Sequence, residues 1–484
     1  MASQSTTDAI EDMRGMFMRR VVWAVVALAG LLGSLTPMPG QAAAAWDLGT
    51  PIVGYWNGPG TLLWGEHFGA LDDAAARQLV SGGFNVALAN TYQEVQIAQS
   101  HGLRTMFQSD LFTPASLDGG TKQATLDATI AQLRQSSAHY GYMVKDEPNA
   151  SEFVGLGQLV NYLRQHDPNH VAYINLLPNY ADNTQLGANG YSAYLSQFDN
   201  SVSPSILAYD HYQYHTTYDG SGYLQNLASV AQSAKQAGIP FINTVQACSW
   251  DTATMRVPNA VETRFLIYST LAYGAQGISY FQYTEADAPQ IGGIVRRDGT
   301  PMPIYPTIEA GNREFVNVAR QYQGLKWIGT YLKGYRSYAA PPGTEPLPVS
   351  SSFTISSGIS GLPTTMTYHD GNPLKGVLLG LFDADGSSPA DATFALVLNM
   401  DYSGDRNYTV TGPGNLSVFD PGTGRWIAMN SNQISLDLAA GGGLLVGLTS
   451  AIPVPEPSAI ALVGPALAAL LLLAIRRKSQ PADA

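Results

Sequence analysis

Between residues 52 and 332 the chain alternates short β-rich runs with helical stretches, and it does so eight times. The β-rich runs fall at 52–56, 85–89, 104–108, 141–145, 171–176, 206–209, 241–245 and 278–283. Helical periodicity fills the gaps between them. Leu71, Ala75, Leu79 and Val80 share one face of a helix over 71–81, and Phe153, Leu156, Leu159, Val160 and Leu163 share one over 153–164. Gly82-Gly83, Gly102, Gly238 and Gly277 stand just before a β-rich run, where the end of a helix favours glycine. A strand, a helix and a strand in repetition implies parallel strands joined by crossover helices. Eight such units in about 280 residues is the size of a (β/α)8 barrel. A doubly wound open sheet is the alternative, but no glycine-rich phosphate loop follows the first run.

A last helix over 308–322 would close this part, and 339–358, rich in Pro, Gly and Ser, reads as a linker or loop. The texture then changes. Short β runs at 376–382, 394–399, 408–410, 416–419, 426–429, 434–438 and 444–448, with Gly and Asn turns and no helical pattern, predict an all-β sandwich. The expected division is therefore 1–45, a barrel over 46–335, a sandwich over 336–452 and a tail over 453–484.

Both ends carry targeting signals. Arg19 and Arg20 precede an apolar run over 21–35, a Pro-rich break at 37–39 and small residues at 42–45. That order is the pattern of a secretory signal peptide, with the mature chain expected to begin near Trp46. A membrane-spanning helix is disfavoured by the short run and the break after it. Residues before Met16 read as an upstream start. At the other end Val454-Pro455-Glu456-Pro457-Ser458 leads into an apolar run over 459–475 and then Arg476, Arg477 and Lys478. The run is long enough for one thin membrane crossing, with the basic cluster on the cytoplasmic side. Motif, span and basic tail in this order resemble the PEP-CTERM sorting signal. That resemblance implies an exosortase-type enzyme as partner, with the tail in the membrane before processing. A plain C-terminal anchor would also place the body outside the cytoplasm, at the cell envelope or surface.

Composition narrows the partners. The net charge is −12, from 37 acidic and 25 basic residues, which argues against nucleic acid and anionic lipid. A neutral glycan is compatible, and the 26 tyrosines supply flat rings with polar tips that stack on sugars or serve as core. Cys248 is the only cysteine, so the chain forms no internal disulfide, and beside Ala247 it reads as a small buried apolar residue.

Chemistry is expected at the C-terminal ends of the barrel strands. The fourth run ends Tyr140-Gly-Tyr-Met-Val-Lys-Asp146-Glu147-Pro148-Asn149. Two adjacent carboxylates after an apolar run are costly unless bonded or functional, and Pro148 stops the strand so that both stand at the mouth. A carboxyl raised in pKa by apolar walls is what a general acid for glycosidic cleavage needs. The alternative is that Asp-Glu-Pro simply caps the helix beginning near Phe153.

The Asp146-Glu147 pair resembles the Asn-Glu pair after strand four in the clan of barrel glycosidases typified by cellulases and β-galactosidases. The resemblance implies Glu147 as acid/base, with Asp146 where that clan has a sugar-binding Asn. With Asp167-Pro-Asn-His170, Tyr173-Ile-Asn-Leu176, Tyr209-Asp210-His211-Tyr212 and the stretch from Leu271 to Phe281, the chain is also similar to glycosidase-like barrels that share a Gly-Tyr…Asp-Glu-Pro core. The later Ala-Leu-Val-Leu-Asn, Asp420-Pro-Gly-Thr-Gly-Arg-Trp426 and Gly441-Gly-Gly-Leu-Leu445 segments look like the β-sandwich appended to many such barrels. One departure matters. The clan's nucleophile is a Glu after strand seven, and here that strand ends Thr244-Val-Gln246-Ala-Cys248-Ser-Trp250.

Gln246 cannot act as nucleophile and is left as a substrate contact. Asp210 is the first substitute, because Tyr-Asp after strand six resembles chitinase-type barrels, whose substrate acetamido group is the nucleophile. Glu285 and Asp110 are further substitutes, with Glu285 and Asp287 open to being solvated loop charges. Trp56, Tyr212, Trp250, Tyr280 and Tyr283 are candidate stacking surfaces, each equally readable as core. His211 and His215 lack the further ligands of a zinc site, so His211 is assigned to a substrate hydroxyl or a carboxylate. No cofactor is implied. Three readings follow: a hydrolase of extracellular glycans using Glu147 and Asp210, an inactive sugar-binding barrel that retains exopolysaccharide, and a structural scaffold.

Overall fold

In the computed structural model, the described residues are 50–62, 68–220, 222–285, 291–333, 343–356 and 376–452. The signal-peptide segment, the sorting motif with its apolar run and basic tail, Asp287, and both ends of the 339–358 linker lie outside them. Two units divide at Ala45/Trp46, and the second holds every described residue. Among the described residues no helix is long and apolar enough to cross a membrane.

Eight parallel strands form one sheet: β1 Ile52–Tyr55, β2 Val86–Ala89, β3 Arg104–Gln108, β4 His139–Asp146, β5 Val171–Leu176, β6 Leu207–His211, β7 Phe241–Gln246 and β8 Gly277–Phe281. Their spatial order, β1-β8-β7-β6-β5-β4-β3-β2, is that of a barrel opened at one seam. Asn85 bridges the seam between β1 and β2. Its backbone N–H donates to the Val53 carbonyl (3.1 Å), its side-chain carbonyl accepts from Val53 N–H (2.8 Å), and its amide donates to the Pro51 carbonyl (2.7 Å). The barrel interior is packed, with Ile52, Met106, Met143, Tyr173 and Ile242 leaving a cavity of only about 30 Å³.

Helices α1 Asp73–Ser81, α2 Tyr92–Ser100, α3 Thr121–Leu133, α4 Phe153–His166, α5 Tyr191–Val202, α6 Tyr223–Ala237, α7 Ala260–Ala272 and α8 Tyr305–Arg320 surround the strands. Sequence-local caps set their starts: Thr91 with Glu94 and Asn259 with Glu262 each close a capping box. The amphipathic face expected on 153–164 is the buried one, comprising Phe153, Leu156, Leu159, Val160 and Leu163.

Beyond the barrel lie two layers, antiparallel but for one short parallel pairing at the edge of the first. One holds β9 Lys326–Lys333, β11 Val377–Asp383, β12 Phe394–Asn399, β14 Leu416–Asp420, β15 Arg425–Ala428 and β17 Gly443–Leu448, with the short Glu345–Pro346 at its edge. The other holds β10 Thr354–Ser356, β13 Arg406–Thr411 and β16 Gln433–Leu438. β9 pairs with β11, so the sheet begins before residue 335, where the sequence placed the end of the barrel. Burial of both faces of β11 follows from its period of two. Val377, Leu379 and Leu381 join the core between the layers, while Leu378 and Phe382 join the barrel core. A Cβ on Gly380 would come within 2.1 Å of the Ala272 carbonyl oxygen at the end of α7, so only glycine lets the sheet approach this closely.

Candidate active site

The site stands on the C-terminal ends of β4, β5 and β6. On β4 a bulge falls between Met143 and Lys145, so Lys145 aligns with Ile174 and Asp146 with Asn175. Without the extra residue Lys145 would take the inward position; with it Asp146 does, and Lys145 pairs with Glu152 at 2.8 Å. Glu147 follows with φ of 43°, a left-handed conformation that costs a non-glycine residue about 1 kcal/mol or more. Its backbone N–H is held by the Asn175 carbonyl at 2.8 Å, and the Pro148 carbonyl accepts from Tyr194 Oη at 2.7 Å. The helix cap here is Asn149, whose side-chain oxygen accepts from Ser151 N–H in a capping box with Glu152. Asp146 and Glu147 are therefore not the cap that the alternative reading required.

Asn175 joins the acids. Its Nδ2 donates to Asp146 Oδ1 (3.0 Å) and to Asp210 Oδ1 (2.8 Å), placing both carboxylates within the span of one amide. Asp210 is 1% exposed and also accepts from Tyr212. Glu147, by contrast, opens toward solvent. Among the described residues no donor is bonded to its carboxyl.

These surroundings shift the acids upward. Burial pushes Asp146 up to about 6, against the Asn175 bond and the Lys145 charge. Burial and the Asp146 charge push Glu147 up to about 7. Burial, then the charges of Glu147 and Asp146, raise Asp210 well above the carboxylate range. Three carboxyls around one cavity cannot all ionise near neutrality, so the cluster retains a proton there. Hydrogen bonds favour the anions of Asp146 and Asp210. Asp210, the most deeply buried of the three and flanked by the other two charges, holds its proton most firmly. Glu147, free of such a bond and facing the opening, is the acid placed to exchange a proton with a bound group.

A cavity of about 390 Å³ opens over the acids. Trp56, Tyr212, Trp250 and Phe281 wall it with aromatic surface, and Leu177, Pro178, Tyr180 and Gln185 complete it from the loop after β5. Tyr212 and Trp250 meet edge to face with ring centroids 4.6 Å apart, and Phe281, whose peptide bond to Gln282 is cis, lies 5.5 Å from Tyr212. A second cavity of about 580 Å³ shares Tyr180, Tyr212 and Trp250 with the first and reaches His211, His215 and Tyr218.

Of the residues singled out from sequence, the cavity brings together Trp56, Asp146, Glu147, Asp210, Tyr212 and Trp250. His211 lines the neighbouring cavity, but its Nδ1 is bonded to Asn226 Oδ1 (3.0 Å) and not to a carboxylate. Five others stand elsewhere. Tyr280 and Tyr283 are buried in ring contacts with Phe84, and Tyr280 Oη donates to Asn312 (2.7 Å) on α8. Ser279 and Phe281 take the inward positions of β8, which turns Tyr280 toward the helices. Gln246 is fully buried and fully used: its Oε1 accepts from Tyr214 N–H (2.9 Å), and its Nε2 donates to the carbonyls of Arg256 (2.8 Å), Cys248 (3.2 Å) and Tyr214 (3.3 Å). Asp110 is exposed and Glu285 half-buried, and neither lines either cavity. Cys248 is buried, which pushes its thiol up to about 12 and leaves it unreactive at neutral pH.

Sequence reasoning passed over Asn175, Tyr180 and Phe281. Asn175 did carry a signal, as a lone amide in the apolar run Tyr173-Ile-Asn-Leu176.

No family model and no curated protein matches the chain. Among solved structures it is similar to a glycoside hydrolase (12% identity, 83% of this chain and 93% of that one, TM-score 0.46). It is also similar to a family 5 glycoside hydrolase from Bacteroides vulgatus (10% identity, 78% and 86%, TM-score 0.45). A β-galactosidase from the psychrophile Marinomonas ef1 aligns at 11% identity and TM-score 0.38, over 51% of this chain and 57% of that one. The chain thus spans little more than half the length of that enzyme.

Proposed function

We propose that the protein is a glycoside hydrolase acting on a neutral or amino sugar chain, with Glu147 as general acid/base. The supporting observation is the carboxyl cluster of Asp146, Glu147 and Asp210 under an aromatic-walled cavity, with Glu147 raised to about 7 and facing the opening. Aromatic faces suit the C–H faces of sugars, and the clustered acids disfavour an anionic sugar. In this reading Glu147 gives its proton to the glycosidic oxygen as the C1–O bond breaks, and then takes a proton from the water that completes hydrolysis. Asp210, almost wholly buried, raised well above the carboxylate range and tied to Asn175, offers little surface for attack. That favours it as the group that with Asn175 positions Asp146, whose anion stabilises the cation developing on the sugar ring. The two end segments support export to the cell envelope, with a membrane-held tail handed to an exosortase-type enzyme.

The test is reducing-sugar release from a panel of polysaccharides, including the host's own exopolysaccharide, by the wild type and by Glu147→Gln. Activity that falls by about a hundredfold or more in the variant is expected. Equal activity in both would remove Glu147 from the mechanism. Glycan binding without cleavage in either would make the barrel a binding module.

A further inference from the structure

The opposite face of the barrel holds a second cluster of polar side chains that the proposed chemistry does not use. His139 opens β4, seven residues before Asp146, while Asp167 ends α4 and His170 immediately precedes β5. Because β4 and β5 are parallel, all three lie at the N-terminal ends of the strands, away from the cavity. One ligand-capable atom from each falls within 4.8 Å of the others.

Two features of this cluster are unusual for buried polar groups. His139 is 3% exposed, yet neither Nδ1 nor Nε2 has a hydrogen-bond partner among the described residues. A buried imidazole with both nitrogens unpaired loses its bonds to water and gains nothing in return. Asp167 is 2% exposed and accepts from Tyr142 Oη (2.6 Å) and from His170 Nδ1 (2.7 and 2.8 Å). Among the described residues no Lys or Arg is bonded to it; Arg134 turns instead to the His166 carbonyl at 3.0 Å. Its one cationic partner is His170, paired at 2.7 Å and charged only when protonated, so a bound cation would supply the fixed positive charge this buried carboxylate lacks.

We propose that His139, Asp167 and His170 form a site for one divalent transition-metal ion, zinc by its ligand chemistry, which staples the start of β4 to the turn before β5. Two imidazoles and a carboxylate are a donor set suited to zinc. Three donors within 4.8 Å of one another leave a point within about 2.8 Å of all three, so shifts of under about 1 Å bring each to a zinc bond of about 2.0–2.1 Å. Tyr142, already bonded to Asp167, would orient the carboxylate from behind, as outer-shell partners of metal ligands do. His170 is partly exposed and provides the way in from solvent, with water as the remaining ligand. The role is structural, since the N-terminal face of such a barrel serves stability.

The test uses the full-length protein, stripped with a strong chelator and titrated with zinc chloride alone. Bound metal is counted by mass spectrometry, affinity is measured by calorimetry, and cobalt(II) substitution is followed by its visible absorption. One equivalent of zinc is expected, with a Tm several degrees higher in the loaded protein. His139→Phe keeps the ring packing against Tyr142 and His170 while removing the nitrogens; His170→Asn, at the rim, carries less risk to folding. Each should weaken binding by about a hundredfold or more and abolish the zinc-dependent rise in Tm. The proposal is overturned if the wild type takes up no saturable equivalent, or if both variants bind zinc as it does.

Discussion

Replacing Asp146 by Asn should stabilise the protein, and only at neutral and alkaline pH. Burial raises Asp146 from 3.8 to about 6. The folded protein therefore binds this proton more tightly than the unfolded chain does. Stability falls as pH rises from about 4 through about 6, as the folded group is forced to ionise in place. At about 1.4 kcal/mol per tenfold change in proton affinity, the loss is on the order of 3 kcal/mol. An Asn of the same shape ionises nowhere, keeps an oxygen for the Asn175 amide, and removes that loss. With an unfolding entropy of about 2.1 cal/mol/K per residue over roughly 400 folded residues, the gain corresponds to about 3–4 °C in Tm. Thermal melts of both proteins from pH 4 to pH 8 would check it. The expected curves coincide at pH 4 and separate by a few degrees at pH 8. A constant offset across the range, or none at pH 8, would refute the claim that the cavity holds Asp146 against ionisation.

The proposed hydrolysis carries a pH profile: with Glu147 raised to about 7, the acid form is lost above that pH, so kcat/KM should fall on the alkaline side with an apparent pKa near 7. Removing the Asp146 charge should move that limb to lower pH, because that charge helps raise Glu147; an unmoved limb would separate the two groups. Trp250→Ala should weaken oligosaccharide binding by about tenfold through lost stacking, whereas Tyr280→Phe should leave binding intact and cost about 1 kcal/mol of stability for the bond to Asn312. Gln246→Glu should destabilise by about 3 kcal/mol or more, read as a lower urea midpoint, because a carboxylate would face three carbonyls that the amide now satisfies. An unchanged midpoint would mean that the loop over strand seven is not held as described.

Much of the barrel was legible because its signal is periodic and local. Helix faces such as Phe153 to Leu163 and runs such as Val171–Leu176 repeat the hydrophobic pattern that their burial requires. The acids at the end of β4 were legible for a similar reason, since charge after an apolar run marks a strand end at a mouth. Side-chain direction was not. Tyr280 and Phe281 are neighbours in sequence, and only the strand register decides which of them enters the cavity. The bulge that aims Asp146 inward is a one-residue irregularity with no sequence signature of its own. Gln246 was misplaced for another reason: its partners come from Tyr214 and Arg256, at sequence distances that no local pattern reports.

The register also explains why the second carboxylate stands on strand six and not on strand seven. Asp146 aligns with Asn175, Asn175 with Ala208, and Asp210 with Thr244. Inward positions climb by two along each strand, so Asp210 stands one inward step above Ala208, within reach of the amide that already holds Asp146. The next inward position on β7, one step above Thr244, is Gln246. At that height the strand has run out beneath a loop, and the backbone at Tyr214 and Arg256 folds over the side chain. A group there must both donate and accept, and an amide does both. The carboxyl pair is therefore set on β4 and β6, with Asn175 between them. This geometry leaves Glu147 as the one acid free of a bond to its anion and turned to the cavity.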